Sequence, residues 1–498
     1  MQVSGVWFAV LGGCCGLLFG LEISVIAGVK DLLGQEWGLG ERSFGMSALA
    51  AAVSFGAIPG CIASSFGADR LGRRDYLVAV LAVYCAAVVL EALSWRYSLL
   101  LTARLVVGST VGSLSAVAPM FVSEVAPAAT RGLLVSVNQL CVCIGILAGF
   151  TVNATSMPWQ AQLCAGLPVA AGIMLAFMCY TPRSPRWLVG QGRIAEAGAA
   201  LIKLRGHGQA AELLPSATPA SPASSWSPLL QEAHDAAPWD HSLRVQTSLP
   251  PHVEMELQSI QRFTAQAVLT WRQMLHPRAV AAVAMGIGLS AMQQLTGVNA
   301  VNFYASDMLR AAGFSRTAAQ WQAVGIGCVK VVTVLLAMRW IDLWGRRKLL
   351  LTGLAGMVLA LAILVGLFAW DAPCVGHLAG RAPGWTAVAA LWLFMGAYEF
   401  GAGPVVWVLL SELYPMQIRG KATTLAAGMN WVFSATLGLL FAPAQQVLCI
   451  WGTFAALGAV ALVSIVWVGA VLPETKGKSI EDMDALWKLP GRVTSPAP

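Results

Sequence analysis

The chain has 498 residues, of which 57% are hydrophobic and 11% charged, and its mean hydropathy of +0.69 is far above that of a water-soluble domain. Most of it must therefore sit in lipid, which excludes a large soluble catalytic domain. The net charge of +7, from 31 Lys and Arg against 24 Asp and Glu, would suit a nucleic-acid partner only if gathered on one soluble surface, and it is not.

In chain order, stretches apolar enough for spanning helices of about 20 residues run approximately 6–28, 44–66, 76–94, 98–122, 132–152, 160–180, 279–303, 320–341, 349–370, 385–410, 422–443 and 447–471. The first begins near Met1, and no small-residue cleavage site follows a short apolar core, so it reads as a retained span rather than a secretory peptide. Six stretches precede a long polar segment and six follow it. This gives an N-terminal half (1–181), a linker (182–278), a C-terminal half (279–471) and a tail (472–498). In the linker, 184–205 reads as a short helical, charge-bearing stretch. Residues 207–252, rich in Ala, Pro, Ser and His, read as disordered.

Placing the N-terminus in the cytoplasm puts 23 Lys and Arg in inner loops and six in outer ones, with Arg104 and Lys330 inside helices. The positive-inside rule then sets both termini in the cytoplasm. The expected fold class is an all-α membrane protein of twelve transmembrane helices in two six-helix halves, with the lipid bilayer as partner and no nucleic acid. The eleven Cys and six His show neither a disulfide framework nor metal-ligand spacing, so no metal and no cofactor are expected. Leu472 stands where a phosphate-binding loop before Gly477-Lys478-Ser479 would need Gly, so no ATP-driven pump is implied. Asn153-Ala154-Thr155 is a glycosylation sequon on the outer side, close to the membrane.

The two halves repeat each other. Asp69-Arg70-Leu71-Gly72-Arg73-Arg74 recurs as Asp342-Leu343-Trp344-Gly345-Arg346-Arg347, each after its half's second helix. Ser123-Glu124 with Arg131 recurs as Ser411-Glu412 with Arg419, each after the fourth. Repetition in the same order implies a duplicated six-helix unit. Each Asp-x-x-Gly-Arg-Arg supplies a carboxylate at a helix end, a Gly for a tight turn and two guanidiniums, with Glu124 and Glu412 as suitable partners. Asp69, Arg73, Arg74, Glu124, Arg131, Asp342, Arg346, Arg347, Glu412 and Arg419 are thus expected to form a cytoplasmic gate network that holds the halves together in one state and parts in the other.

Further motifs are Pro182-Arg183-Ser184-Pro185-Arg186-Trp187, Gln293-Gln294-Leu295-Thr296-Gly297-Val298-Asn299, Gly401-Ala402-Gly403-Pro404 with Trp407, Asn430-Trp431, and Pro473-Glu474-Thr475-Lys476-Gly477. With these the chain resembles a sugar porter of the major facilitator superfamily, close to the facilitative glucose transporters. Glu22 and Lys330 make it most similar to their class III subgroup. Three departures stand out: Arg183 replaces the family's Glu and removes one expected partner of the first-half arginines, Ser65 replaces a loop Gly, and Phe303-Tyr304 replaces a tandem Tyr pair.

The resemblance implies no enzyme but a carrier of a monosaccharide, such as the hexose glucose, by alternating access. Facilitative uniport and proton-coupled symport are both open, as are a non-transporting sugar sensor and a carrier of a polyol or dehydroascorbate. A sugar's hydroxyls donate and accept, so its site calls for amides and an aromatic plate. Gln139, Gln293, Gln294, Asn299 and Asn430 supply the amides, and Trp407, with Trp431 as a second candidate, the plate. Glu22 and Arg104 occupy the positions of an acid and an Arg in proton-coupled members, which makes protons a candidate partner. Lys330 is expected to reach a sugar hydroxyl or a buried acid, and Glu399 to join the cytoplasmic network. Gly401, Gly403 and Pro404 are read as a hinge. The plasma membrane is the expected location, an endomembrane the alternative.

Overall fold

The computed structural model describes residues 5–38, 40, 43–126, 131–155, 157–205, 250–264, 274, 276–371, 384–414 and 418–477. Within these the membrane-length helices are α1 (Gly5–Trp37), α2 (Phe44–Leu71), α3 (Arg73–Ala92), α4 (Tyr97–Val125), α5 (Arg131–Asn153) and α6 (Trp159–Tyr180). After the linker come α7 (Ala279–Ala311), α8 (Arg316–Trp344), α9 (Arg346–Asp371) and α10 (Gly384–Leu413). The last run, Arg419–Val471, is 53 residues long, but Cys449 leaves helical geometry (φ 59°, ψ 170°) and divides it into α11 (419–448) and α12 (450–471). That makes twelve apolar helices in two halves. Cys449 is disulfide-bonded, although cysteine spacing alone suggested no framework.

The duplication is visible in backbone detail. Ser43 starts α2 by accepting from Met46 N–H, and Ser315 starts α8 by accepting from Ala318 N–H. Gly72 and Gly345 end the same two helices with φ +88° each, a conformation that a side chain resists. A Cβ on Gly345 would also lie 2.7 Å from a Glu474 carboxylate oxygen. These turns mark what we call the basic end of the bundle.

Small residues set how closely helices cross. A Cβ on Gly56 or Gly60 of α2 would meet the carbonyls of Leu105 and Ser109 on α4, the kind of packing favoured where lipid gives no hydrophobic drive for association. Large apolar side chains such as Val463 and Val466 of α12 instead face outward, 68% and 70% exposed, as a lipid-facing surface requires.

The linker's described part folds as Pro185–Gly190, Ile194–Arg205 and Pro251–Thr264. Trp187, Leu201, Val253 and Leu257 form a small core between them, and Arg205 pairs with Glu256 at 2.7 Å while donating to the Val125 carbonyl below α4. Of the stretch read as disordered, 207–249 lies outside the described residues, and Pro251 and His252 begin a helix.

Candidate functional site

Helix α7 is broken where its polar residues lie. The first segment ends at Leu295 and the second starts at Val298, with Gly297 at φ +105° between them. The break lets side chains from both segments meet. Asn299 Nδ2 donates to Gln294 Oε1 (2.9 Å), Gln294 Nε2 to Asn430 Oδ1 (2.9 Å), and Asn430 Nδ2 to Gln293 Oε1 (2.7 Å). Gln293 Nε2 in turn reaches the carbonyls of Ala402 (2.9 Å) and Gly403 (3.2 Å) at the start of the second α10 segment. All four amides are buried, and Asn302 Nδ2 extends the chain to Asn299 Oδ1 at 3.2 Å. A hydrogen-bonded chain of amides satisfies itself when empty and can exchange partners with a ligand's hydroxyls.

The chain continues into the other half. Asn299 Nδ2 also donates to Ser434 of α11, whose hydroxyl lies 3.0 Å from that of Ser54 on α2. Trp431 donates to Ser115 of α4 (3.2 Å) and packs edge-on against Phe19 of α1, centroids 5.1 Å apart. Trp407, half-buried, packs against two apolar clusters, each of which contains residues of both halves. The sequence reading named Gln293, Gln294, Asn299 and Asn430, which the structure links by hydrogen bonds, and Trp407, which packs against apolar side chains. It did not name Asn302, Ser434 or Ser54.

Gln139, half-buried on α5, joins this region from the first half by donating to Glu399 Oε2 at 3.1 Å. Glu399 Oε1 is 2.8 Å from Lys330 Nζ, and both side chains are 1% exposed. Glu399 therefore sits halfway along α10 and away from the basic end. The expectation that it joins the cytoplasmic network is corrected, and of the two readings of Lys330 the buried acid is the one seen. The signal was available in the sequence: a carboxylate in the middle of an apolar span needs a nearby cation. Gly401 leaves helical geometry (φ −113°, ψ −84°) just after this pair, so α10 is two segments, with Gly403 and Pro404 in the first turn of the second, where Pro sacrifices no hydrogen bond.

A second charged cluster lies within the first half. Glu22, Arg104, Glu91 and Tyr84 are all fully buried. Tyr84 OH donates to Glu22 Oε1 at 2.6 Å, while Arg104 Nη1 is 3.9 Å from Glu22 Oε2 and 3.6 Å from Glu91 Oε2. Sequence reading found the Glu22 and Arg104 pair but passed over Glu91, although it is the one acid inside the stretch 76–94.

At the basic end the repeated motifs form matching networks. Arg73 binds Asp69 (3.0 Å) and Glu124 (3.2 Å), and Arg346 binds Asp342 (3.0 Å) and Glu412 (2.9 Å). Ser184 donates to Glu124 and Thr475 to Glu412. Arg74 donates to the Phe177 and Met178 carbonyls closing α6, and Arg347 to Gly469 near the end of α12. Arg419 donates to the Tyr414 carbonyl. The Arg131 side chain lies outside the described residues.

Among the described residues each of these ion pairs lies inside one half in this state. Covalently close helices of one bundle offer the nearer partners. Arg183 pairs with Asp75 at 2.8 Å. In the second half Glu474 at the corresponding place caps α9, accepting from the Arg346 and Arg347 N–H groups (2.9 and 3.1 Å).

Ion pairs between halves occur at the opposite end. Lys30 of α1 binds Asp307 of α7 at 2.7 Å and lies over the Tyr304 ring, and Asp31 faces Arg310 (3.5 Å) and Arg316 (3.8 Å). Nearby, the sequon's Asn153 is buried, with its amide donating to the Ser24 carbonyl at 2.9 Å, so it offers no acceptor for a glycan in this state.

Comparison with known proteins places this geometry. The family model described as "Sugar (and other) transporter" matches residues 8–232 and 217–487. The plastidic glucose transporter 4 of Arabidopsis thaliana is 30% identical over 97% of this chain and 80% of its own length. The D-xylose-proton symporter-like 2 of the same plant is 28% identical, covering 96% and 89%. Among solved structures, the major facilitator superfamily proton:xylose symporter XylE bound to 6-bromo-6-deoxy-D-glucose superimposes with a TM-score of 0.73 over 96% of this chain and 98% of that one, at 23% identity.

Proposed function

The chain belongs to the Sugar (and other) transporter family, and we propose that it is a proton-linked carrier of a neutral monosaccharide, a hexose such as glucose, working by alternating access without covalent chemistry. It is an integral, multi-pass membrane protein of the major facilitator fold. The observation that carries the reading is the buried amide chain Asn299, Gln294, Asn430 and Gln293, flanked by half-buried Gln139 and Trp407 from α5 and α10. Its donors and acceptors alternate as a sugar's hydroxyls do. The Lys330 and Glu399 pair near it is neutral overall, which suits an uncharged solute better than a sugar acid or phosphate.

Glu22 beside Arg104 supports proton coupling: a buried carboxylate that can alternate between ionised and protonated forms links proton movement to the helices that hold it. The excess of Lys and Arg at the basic end supports a cytoplasmic location for that end and for both termini, with the plasma membrane as the membrane of residence. The test is uptake into proteoliposomes under imposed pH gradients, with hexoses, pentoses, polyols and dehydroascorbate as competitors. An inward proton gradient should raise glucose uptake, and hexoses should compete best. Equal uptake at every gradient, with Glu22→Gln still transporting, would leave a uniporter instead.

A further inference from the structure

The cluster around Arg104 holds one more acid than a simple ion pair needs. Arg104 Nη1 stands between Glu22 Oε2 (3.9 Å) and Glu91 Oε2 (3.6 Å), yet Arg104 Nε and Nη1, Glu22 Oε2 and both Glu91 oxygens make no hydrogen bond. The bonds present are Tyr84 OH to Glu22 Oε1 and Arg104 Nη2 to the Glu22 carbonyl (3.4 Å). The other titratable groups facing the cluster are thiols, Cys85 on α3 and Cys164 on α6. Among the described residues Arg104 is the one cation in contact with either acid. Were both carboxyls ionised, one negative charge would stay uncompensated in a site with no exposed surface, which is among the most costly arrangements in a membrane interior.

We propose that Glu22 and Glu91 share a single proton against Arg104, so that the coupling site is a two-carboxylate site with Glu91 as a proton-binding residue. The two arrangements differ by a small swing of the guanidinium. With the proton on Glu22, Arg104 turns to Glu91; with the proton on Glu91, it turns to Glu22. Arg104 keeps a counter-ion in both, so protonating Glu22 never strands a buried cation. Glu22 lies three residues after Phe19, whose ring packs on Trp431 beside Asn430, which joins the proton's position to the amide chain. This role in coupling rests on the carrier reading above; the shared proton itself does not.

Infrared difference spectroscopy of the whole protein in lipid nanodiscs at neutral pH tests it. The wild type should show a protonated-carboxyl C=O band. Glu91→Gln and Glu22→Gln should each abolish it, because one carboxylate facing one guanidinium stays ionised. Glu91→Asp should keep it. The loss in Glu22→Gln, where Glu91 is intact, is diagnostic even where Glu91→Gln does not fold. No band in the wild type, or an undiminished band in both Gln variants, overturns the proposal. In proteoliposomes the pH giving half-maximal proton-driven uptake should fall by a unit or more in Glu91→Gln; an unchanged pH profile also overturns it. Absence of counterflow in the wild type with the band present would sink the carrier reading alone.

Discussion

At the residue scale, the most telling contact is Lys330 with Glu399, because both charged side chains are buried. Removing one partner leaves the other stranded, at a typical cost of about 3–5 kcal/mol, whereas removing both is often nearly neutral. Lys330→Met should therefore lower the detergent melting temperature markedly, and Lys330→Met with Glu399→Gln should recover most of it; equal losses in the single and double variants would show that the pair is not a unit. The same position explains a limit of the sequence. That Glu399 lies inside an apolar span and needs a cation was readable, but which cation it meets depends on α8 packing beside α10, which one chain position cannot reveal. The amides were easier, since polar side chains in apolar spans have few uses. Asn299→Ala removes the shared donor to Gln294 and Ser434 and leaves buried partners unpaired, so sugar affinity measured by calorimetry should fall by roughly 1–3 kcal/mol; unchanged affinity would take Asn299 out of the site.

At the element scale, the interruptions of α7 and α10 bring the polar groups together. Gly297 has φ +105°, and a Cβ there would lie 2.7 Å from Leu457. Gly297→Ala should lower stability by about 1–3 kcal/mol, seen as earlier thermal unfolding, and weaken sugar binding along with it. Binding at wild-type strength would mean that the break does not set the spacing of Gln294 and Asn299. The helices themselves, and the turns at Gly72 and Gly345, were legible because apolar length and repeated motifs encode them directly. The carboxylate partners Glu124 and Glu412 were legible too, but whether each pairs within its half or across halves was not. Arg73 and Arg346 turn to partners inside their own bundles, and motif repetition is equally compatible with pairing within a half or across halves.

At the scale of the whole molecule, the halves are tied by Lys30 with Asp307, by Asp31 with Arg310 and Arg316, and in the centre by Gln139 with Glu399. The end opposite the basic turns is thus held shut by charge. Asp307→Asn should loosen it, so that spin labels on the ends of α1 and α7 away from the basic turns show a longer distance distribution than in the wild type; an unchanged distribution would mean that apolar packing alone closes that end. The sequence reading counted Lys30, Arg310 and Arg316 only as loop charges and did not name Asp31 or Asp307, because these pairs exist only once two distant helices meet.

The central claim is that two bundles pass a sugar across the membrane through the amide-lined region between them. Counterflow measures this without any proton gradient. Proteoliposomes preloaded with unlabelled glucose should accumulate labelled glucose transiently above the external concentration, and folded Asn299→Ala protein should not. A folded wild-type protein that gives no overshoot with glucose, xylose or a polyol would contradict the account.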